Sequence, residues 1–362
     1  MNLECLYKKI IDSNRKTIYE PLFRVLNALS FFYSALMRLR SRCYSSGWLS
    51  SKELGCRAVS IGNLTLGGTG KTPMTLWLAR MLKERGHRPA ILSRGYKGTF
   101  QGSVKVVSDG QRVLLSPESA GDEPVMMADR LKDVPVLVGA NRYSSGLYAI
   151  QQFDADVLLL DDGYQHLSLR RDCNILLLDY ANPFGNGLVF PSGHLREPAE
   201  SIERADLICF TRCPEEGSLS IGDFPLNIKK PLVKTRPRLS AWVSLDTGER
   251  LPPEGLCGEP VLAFCGIARP EDFQRLLDKA GVRTVSKVDF PDHHFYSQHD
   301  LIRIRHGLGN ARCIATTEKD AVKIRLFLTD VPIFYAEIDL EILEGEELLI
   351  RSVLGPEEKV SL

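Results

Sequence analysis

The stretch "GNLTLGGTGKTP" (residues 62–73) decides how this chain is read. Before it stands "RAVSIGNL" (57–64), a short apolar run with the character of a buried strand. After it comes "TPMTLWLARMLKERG" (72–86), an amphipathic helical pattern that stops at Gly86. A strand, a glycine-rich turn and a helix N-terminus make an anion cradle. The glycines let backbone N–H groups approach phosphate oxygens, and the helix dipole favours negative charge there. In such a loop Lys71 reaches the β- and γ-phosphates of ATP and Thr72 offers its hydroxyl to Mg²⁺. The candidate ATP-binding residues are therefore Thr65, Gly67, Gly68, Thr69, Gly70, Lys71 and Thr72. The full pattern has a glycine where Thr65 stands. The alternative is a tight glycine turn with an exposed lysine.

A phosphate loop of this class needs an acid at the end of a neighbouring strand to serve the metal. "ADVLLLDDGYQH" (155–166) is an apolar run that closes on Asp161 and Asp162, the candidate metal-side carboxylates with Thr72. Buried parallel strands read this way, and their C-terminal ends face the ligand crevice. More strand patterns occur at 88–95, 134–139, 174–180 and 205–212, with helical patterns at 123–131 and 143–153. Residues 213–260 become rich in Pro and Gly, and 232–245 reads as extended linker strands. A second α/β run then occupies 260–338, in which 311–321 is read as a strand region. The expected fold is α/β: two α/β/α domains with a cleft between them. The first, over 46–231, is a P-loop NTPase-like, mainly parallel sheet. The smaller second, over 260–362, comes after a linker at 232–259.

The 362 residues are 44% hydrophobic and 25% charged, which suits a globular chain of about two domains. Net charge is only +1, but residues 1–57 carry ten Lys/Arg against four acids. These basic residues interleave with an apolar helix, which favours an anionic membrane over nucleic acid as the partner. Over residues 18–37 apolar side chains recur at Ile18, Leu22, Val25, Leu26, Leu29, Phe32, Tyr33, Leu36 and Met37, a helical stripe. Glu20, Arg24, Asn27, Ser34 and Arg38 lie on the other side, with Phe31 intruding. The apolar stretch is read as too short to span about 30 Å of hydrocarbon. Residues 1–45 are thus expected to hold a helix lying in the interface, with Arg38, Arg40 and Arg42 near lipid phosphates. A helix docked on the protein's own core is the alternative. The nine cysteines include no C-x-x-C pair, as in a reduced cytosolic protein, and residues 1–12 lack the marks of a cleavable signal peptide.

Several motifs then stand in a distinctive order: the loop, "SRGYKG" (93–98), "GDEP" (121–124), "DDGYQHLSLRRD" (161–172), "GHLREP" (193–198), "FPDHHFYS" (290–297) and "TEKDAVK" (317–323). In this order the chain resembles the tetraacyldisaccharide 4′-kinases of lipid A biosynthesis, over most of its length. That family's loop normally lacks the first glycine, as at Thr65. His194 is a small departure, where proline is expected before "LREP". The resemblance implies ATP-dependent phosphorylation of the 4′-hydroxyl of a tetraacylated glucosamine disaccharide 1-phosphate, giving lipid IVA. It also implies a peripheral enzyme on the cytoplasmic face of the bacterial inner membrane.

Such chemistry needs a base for the acceptor hydroxyl. Asp122 precedes a helical pattern, and a histidine partner would aid a weakly basic carboxylate. The resemblance pairs Asp122 with His293 or His294, and the sequence does not choose between them. With Lys71, these are the candidate catalytic residues. The resemblance also puts Tyr96, Glu123, Arg142, Gln165 and Arg196 around the substrates, the arginines suiting phosphates. Surface salt bridges are the alternative for those arginines, and a capped turn is the alternative for "DHH". Glu318 and Lys319 of "TEKD" read either as a domain-closing ion pair or as a helix cap. Of the competing functions, a membrane-surface switch ATPase would need lysine at position 66, which is Leu66. A GTP-binding module would need Asn-Lys-x-Asp, which is missing.

Overall fold

The computed structural model of the chain describes Tyr7 and residues 9–11, 17–95, 104–214, 229–324 and 331–355. The "RAVSIGN" run forms the strand Arg57–Asn63, with all but its first residue buried. It pairs in parallel with Val157–Asp161 on one side and Cys173–Asp179 on the other. Leu207–Thr211 adds to Cys173–Asp179, and the start of Leu232–Ser244 adds to Leu207–Thr211, again in parallel. These runs are nearly continuous in Val, Ile and Leu because both faces of a parallel sheet are covered. The register sets Ile61 opposite Asp161 and Asn63 opposite Leu177, so loop and acids emerge from the same end of the sheet. This sheet belongs to a unit made of Met1–Lys71, Val157–Arg236 and Ile342–Leu362. Its core gathers Leu64, Tyr164, Leu176, Leu178, Leu195 and Phe210.

The second unit is made of Thr72–Asp156 and Pro237–Glu341, so the two units interleave along the chain. Pro260–Cys265 lies between Arg283–Asp289 and Cys313–Thr317, and Cys313–Thr317 pairs with Ile333–Glu344, all in parallel. Pro89–Ser93 pairs in parallel with Val136–Val138, against which Lys105–Ser108 runs antiparallel. Trp242, Val261, Phe273 and Leu277 pack in one of its apolar cores. The mainly parallel α/β character expected from the apolar runs is what the fold has. One strand region ends early: the 311–321 run turns helical at Glu318, where Thr317 caps a short helix by accepting from the Asp320 N–H.

The N-terminal helix runs Glu20–Ser45, 26 residues or about 39 Å, well past Met37. Arginine and leucine are good helix formers, so the pattern continues through residues 38–42. By length and composition the helix is therefore apolar enough to cross a bilayer, contrary to the shorter span read from the stripe. The stripe itself divides. Leu26, Tyr33 and Met37 are half-buried, whereas Ile18, Leu22, Val25, Leu29, Phe32 and Leu36 are exposed, as is Phe31. The two residues of this helix that are fully buried are serines: the Ser30 hydroxyl donates to the Val189 carbonyl at 2.6 Å, and Ser34 lies four residues on.

Candidate active site

The phosphate loop is shaped by the last residue of its strand. Asn63 is completely buried, and its Nδ2 donates to the Thr65 carbonyl at 2.9 Å and the Gly67 carbonyl at 3.4 Å. Its Oδ1 accepts from Lys71 Nζ at 3.4 Å. One side chain thus folds the turn and aims the lysine. Gly70, directly before the helix Lys71–Glu84, has φ of +81°, a conformation that a side chain would strain. The segment 194–196 runs against the loop: the Leu66 N–H donates to the His194 carbonyl and the Arg196 N–H to the Leu64 carbonyl, both at 2.7 Å.

That pairing brings Arg196 to the acids. Its guanidinium contacts both oxygens of Asp162 at 2.9–3.0 Å, while Lys71 Nζ lies 3.5 Å from Asp162 Oδ1. Burial by itself would raise the Asp162 carboxyl, but the charges of Lys71 and Arg196 outweigh it and hold the group below the usual carboxylate range. Asp161, the last residue of its strand, is buried. Gly62 makes room for the turn after Asp162, since a Cβ there would sit 2.6 Å from Tyr164 Cβ. Gln165 then donates through Nε2 to the Asn63 carbonyl at 2.9 Å. Asp161, Asp162 and the Thr72 hydroxyl each offer oxygen donors, the chemistry that suits Mg²⁺.

A second cluster lies within the other unit. Asp122 opens the helix Asp122–Arg130 and is buried. His293 Nδ1 lies 3.0 and 2.9 Å from its two oxygens. Lys319 Nζ lies 3.2 Å from His293 Nε2, 3.2 Å from Asp292 Oδ1, 3.4 Å from Glu123 Oε1 and 4.0 Å from Asp122 Oδ2. An ammonium has only protons to give. Nε2 is therefore the acceptor, and in the neutral ring Nδ1 carries the proton and donates it to Asp122. Lys323, 2% exposed, lies 3.8 Å from Asp122 Oδ2 and 2.9 Å from Asp320 Oδ1. For Asp122, burial raises the carboxyl, but the His293 hydrogen bond and the two lysines win and lower it. The carboxylate is thus ionised, dry and hydrogen-bonded to an oriented imidazole.

His294 does something else. Its Nε2 lies 3.0 Å from Asp300 Oδ2, and its ring stacks on Phe290 with centroids 4.8 Å apart. Asp300 completes the capping box of the helix Gln298–His306. Arg142 is buried and donates through Nη1 to the Gly139 carbonyl at 2.5 Å. Glu318 pairs with Arg130 at 2.9 Å, and Lys319 joins Asp122. Thr65, Gly67, Gly68, Thr69, Lys71, Gln165 and Arg196 fall in the loop region, while Asp122, Glu123 and His293 share the second cluster. Tyr96 lies outside the described residues.

Three site residues, Asn63, Arg212 and Lys323, escaped the sequence reading, and Lys319 was read without its cluster role. Asn63 closes its strand in an otherwise apolar run, which is a visible signal. Arg212 directly succeeds the strand Leu207–Thr211, at the end where ligands bind in such sheets. It donates to the Gly68 carbonyl and, at 2.6 Å, to Asp179 Oδ2. Lys323 and the cluster role of Lys319 have no local signal, because their partners are remote in sequence.

The family model described as Tetraacyldisaccharide-1-P 4'-kinase matches residues 22–354. The tetraacyldisaccharide 4'-kinase of Pelobacter propionicus is 42% identical over 89% of each chain. That of Geobacter metallireducens is 42% identical over 87% of this chain and 92% of its own. Among solved structures, the "apo" form of LpxK from Aquifex aeolicus in complex with ATP superposes with a TM-score of 0.76 at 31% identity. That match covers 92% of this chain and 98% of the other.

Proposed function

This chain belongs to the tetraacyldisaccharide-1-P 4'-kinase family, and on that premise we propose how its residues divide the work. It is a kinase of lipid A biosynthesis that uses ATP. The reaction moves the γ-phosphoryl group of ATP to the 4′-hydroxyl of a tetraacylated disaccharide 1-phosphate, giving lipid IVA and ADP. The observation that carries the assignment of roles is the buried, ionised Asp122 held by His293. A carboxylate can take a proton only when it is ionised and held toward the acceptor, and this one is ionised and oriented by His293. Asp122 takes the proton of the acceptor hydroxyl. His293 fixes its orientation through Nδ1–H and shares the positive charge of Lys319 through Nε2. His294 serves the fold.

Lys71 and the loop amides hold the donor phosphates and offset charge spreading over the transferring group. Mg²⁺ bound to ATP supplies further charge neutralisation, and Thr72, Asp161 and Asp162 would hold it. Glu123, Arg142, Gln165 and Arg196 complete the substrate-binding set, with Tyr96 outside the described residues. Arg196 reaches the phosphate region through Asp162, so it acts on the donor side.

The enzyme sits peripherally on an anionic membrane, at the cytoplasmic face of the bacterial inner membrane. The support is the orientation of the Glu20–Ser45 helix. Polar Asn27 and Ser30 meet the body, and large apolar residues face outward. A soluble protein gains stability by the reverse arrangement. The outward face, continued by Trp48 at 86% exposed, is matched to a lipid interface.

Mass spectrometry of the lipid after incubation with purified protein, ATP and Mg²⁺ tests the reading. One added phosphoryl group at the 4′ position is expected. ATP turnover driven by bare vesicles, with no phosphorylated lipid, would overturn it.

A further inference from the structure

One side chain of the N-terminal helix reaches directly to the segments that flank the phosphate loop. Arg40 Nη2 donates to the Gln165 carbonyl at 3.0 Å, and its Nη1 lies 3.9 Å from Glu197 Oε1. Both partners are one step from the phosphate machinery. Gln165 is three residues past Asp162 and reaches the Asn63 carbonyl with its own side chain. Glu197 is next in the chain to Arg196, the partner of Asp162. Glu197 is itself buried, and a second arginine, Arg204, holds it from the far side. Arg40 therefore bridges the two segments, 162–165 and 196–197, whose mutual ion pair positions Lys71. Its near neighbour Arg38 does not: Arg38 contacts the exposed Glu200 at 3.2 Å.

We propose that Arg40 is a positioning residue for ATP binding, linking the seating of the Glu20–Ser45 helix to the shape of the phosphate loop. The inference rests on the kinase reading above. Its physical content is that Arg40 removes slack at Gln165. Gln165 then holds the strand end at Asn63, and Asn63 aims Lys71. The planar guanidinium fork suits this better than an ammonium, because it spans a carbonyl and a carboxylate at once. Arg38 serves as an internal control: it carries the same charge on the same helix and pairs with Glu200, away from the loop.

The test uses the full chain and equilibrium titration with a fluorescent ATP analogue, which needs no lipid acceptor. Arg40→Ala should weaken nucleotide binding roughly three- to thirty-fold, the range typical of residues that act through a chain of contacts. Arg40→Lys should recover part of the loss. Arg38→Ala should stay within about two-fold of the unaltered chain. Pelleting with phosphatidylglycerol vesicles should be alike for Arg40→Ala and Arg38→Ala, since each removes one charge. In a Gln165→Ala background the Arg40→Ala effect should shrink, because the route to Asn63 is already cut. Where Arg40→Ala does not fold, the same cycle run with Arg40→Lys decides. Nucleotide affinity indifferent to Arg40, an equal loss in Arg38→Ala, or full additivity with Gln165→Ala each overturns the inference alone. Failure of the unaltered chain to bind nucleotide overturns the kinase reading and this inference with it.

Discussion

Replacing Asp122 with asparagine keeps the volume of the side chain and removes its charge and basicity. The consequences can be worked from its neighbours. The amide cannot take a proton from the acceptor hydroxyl. General-base catalysis contributes roughly 10²–10⁴ in rate, so kcat should fall by that factor, or about 3–5 kcal/mol of barrier. A second effect falls on the fold. Asp122 has ammonium groups at 3.8 and 4.0 Å and a histidine at 2.9 Å. An isolated pair at 4 Å is worth about 4 kcal/mol at an effective dielectric near 20. Here Asp292, Glu123 and Asp320 still face the lysines. The net loss of stability should therefore be smaller, on the order of 1–2 kcal/mol. Single-turnover transfer from labelled ATP to detergent-dispersed lipid measures the first effect, and thermal unfolding measures the second. KM for ATP should stay within about two-fold, since the loop residues are untouched. A variant with near-normal kcat and a large rise in ATP KM would refute the base assignment and make Asp122 a binding residue.

The same geometry sets three further outcomes. His293→Ala should lower kcat about 10²-fold by freeing Asp122, whereas His294→Ala should leave kcat within about three-fold and cost roughly 1 kcal/mol of stability; steady-state kinetics and melting curves separate them. The combined change Leu29→Ser, Phe32→Ser and Leu36→Ser should reduce pelleting with anionic vesicles at least about ten-fold with little change in melting temperature, because these side chains are exposed. Stability should fall as pH drops below about 4. Asp122, Asp162, Glu337 and Asp339 all have lowered folded-state values, burial being outweighed by their basic partners. Their contribution is present above the unfolded carboxylate range and is lost as pH falls through the folded values. Denaturant titration at pH 6 and pH 3 checks the sign.

Local pattern was enough for most elements of this protein. Residues 57–63, 71–84 and 157–161 were legible because strand burial, helix periodicity and glycine turns are written over a few consecutive positions. The same locality made Lys71, Asp161 and Asp162 readable as one chemistry. It could not say which histidine of "DHH" meets Asp122. Those two positions are adjacent in sequence, and the left-handed backbone at His293, with φ of +57°, turns one to the carboxylate and leaves the other on Asp300. Nor could a helical stripe reveal which way it faces. Ser30 is buried where the body offers it a carbonyl, with Ser34 buried one turn on, while six of the nine apolar positions remain outside. Asn63, Arg212, Lys323 and Arg40 take their roles from partners that the fold brings together. The hydrogen bond between Arg40 and Gln165, 125 positions apart, is decided by tertiary packing and leaves no trace in the pattern of nearby residues.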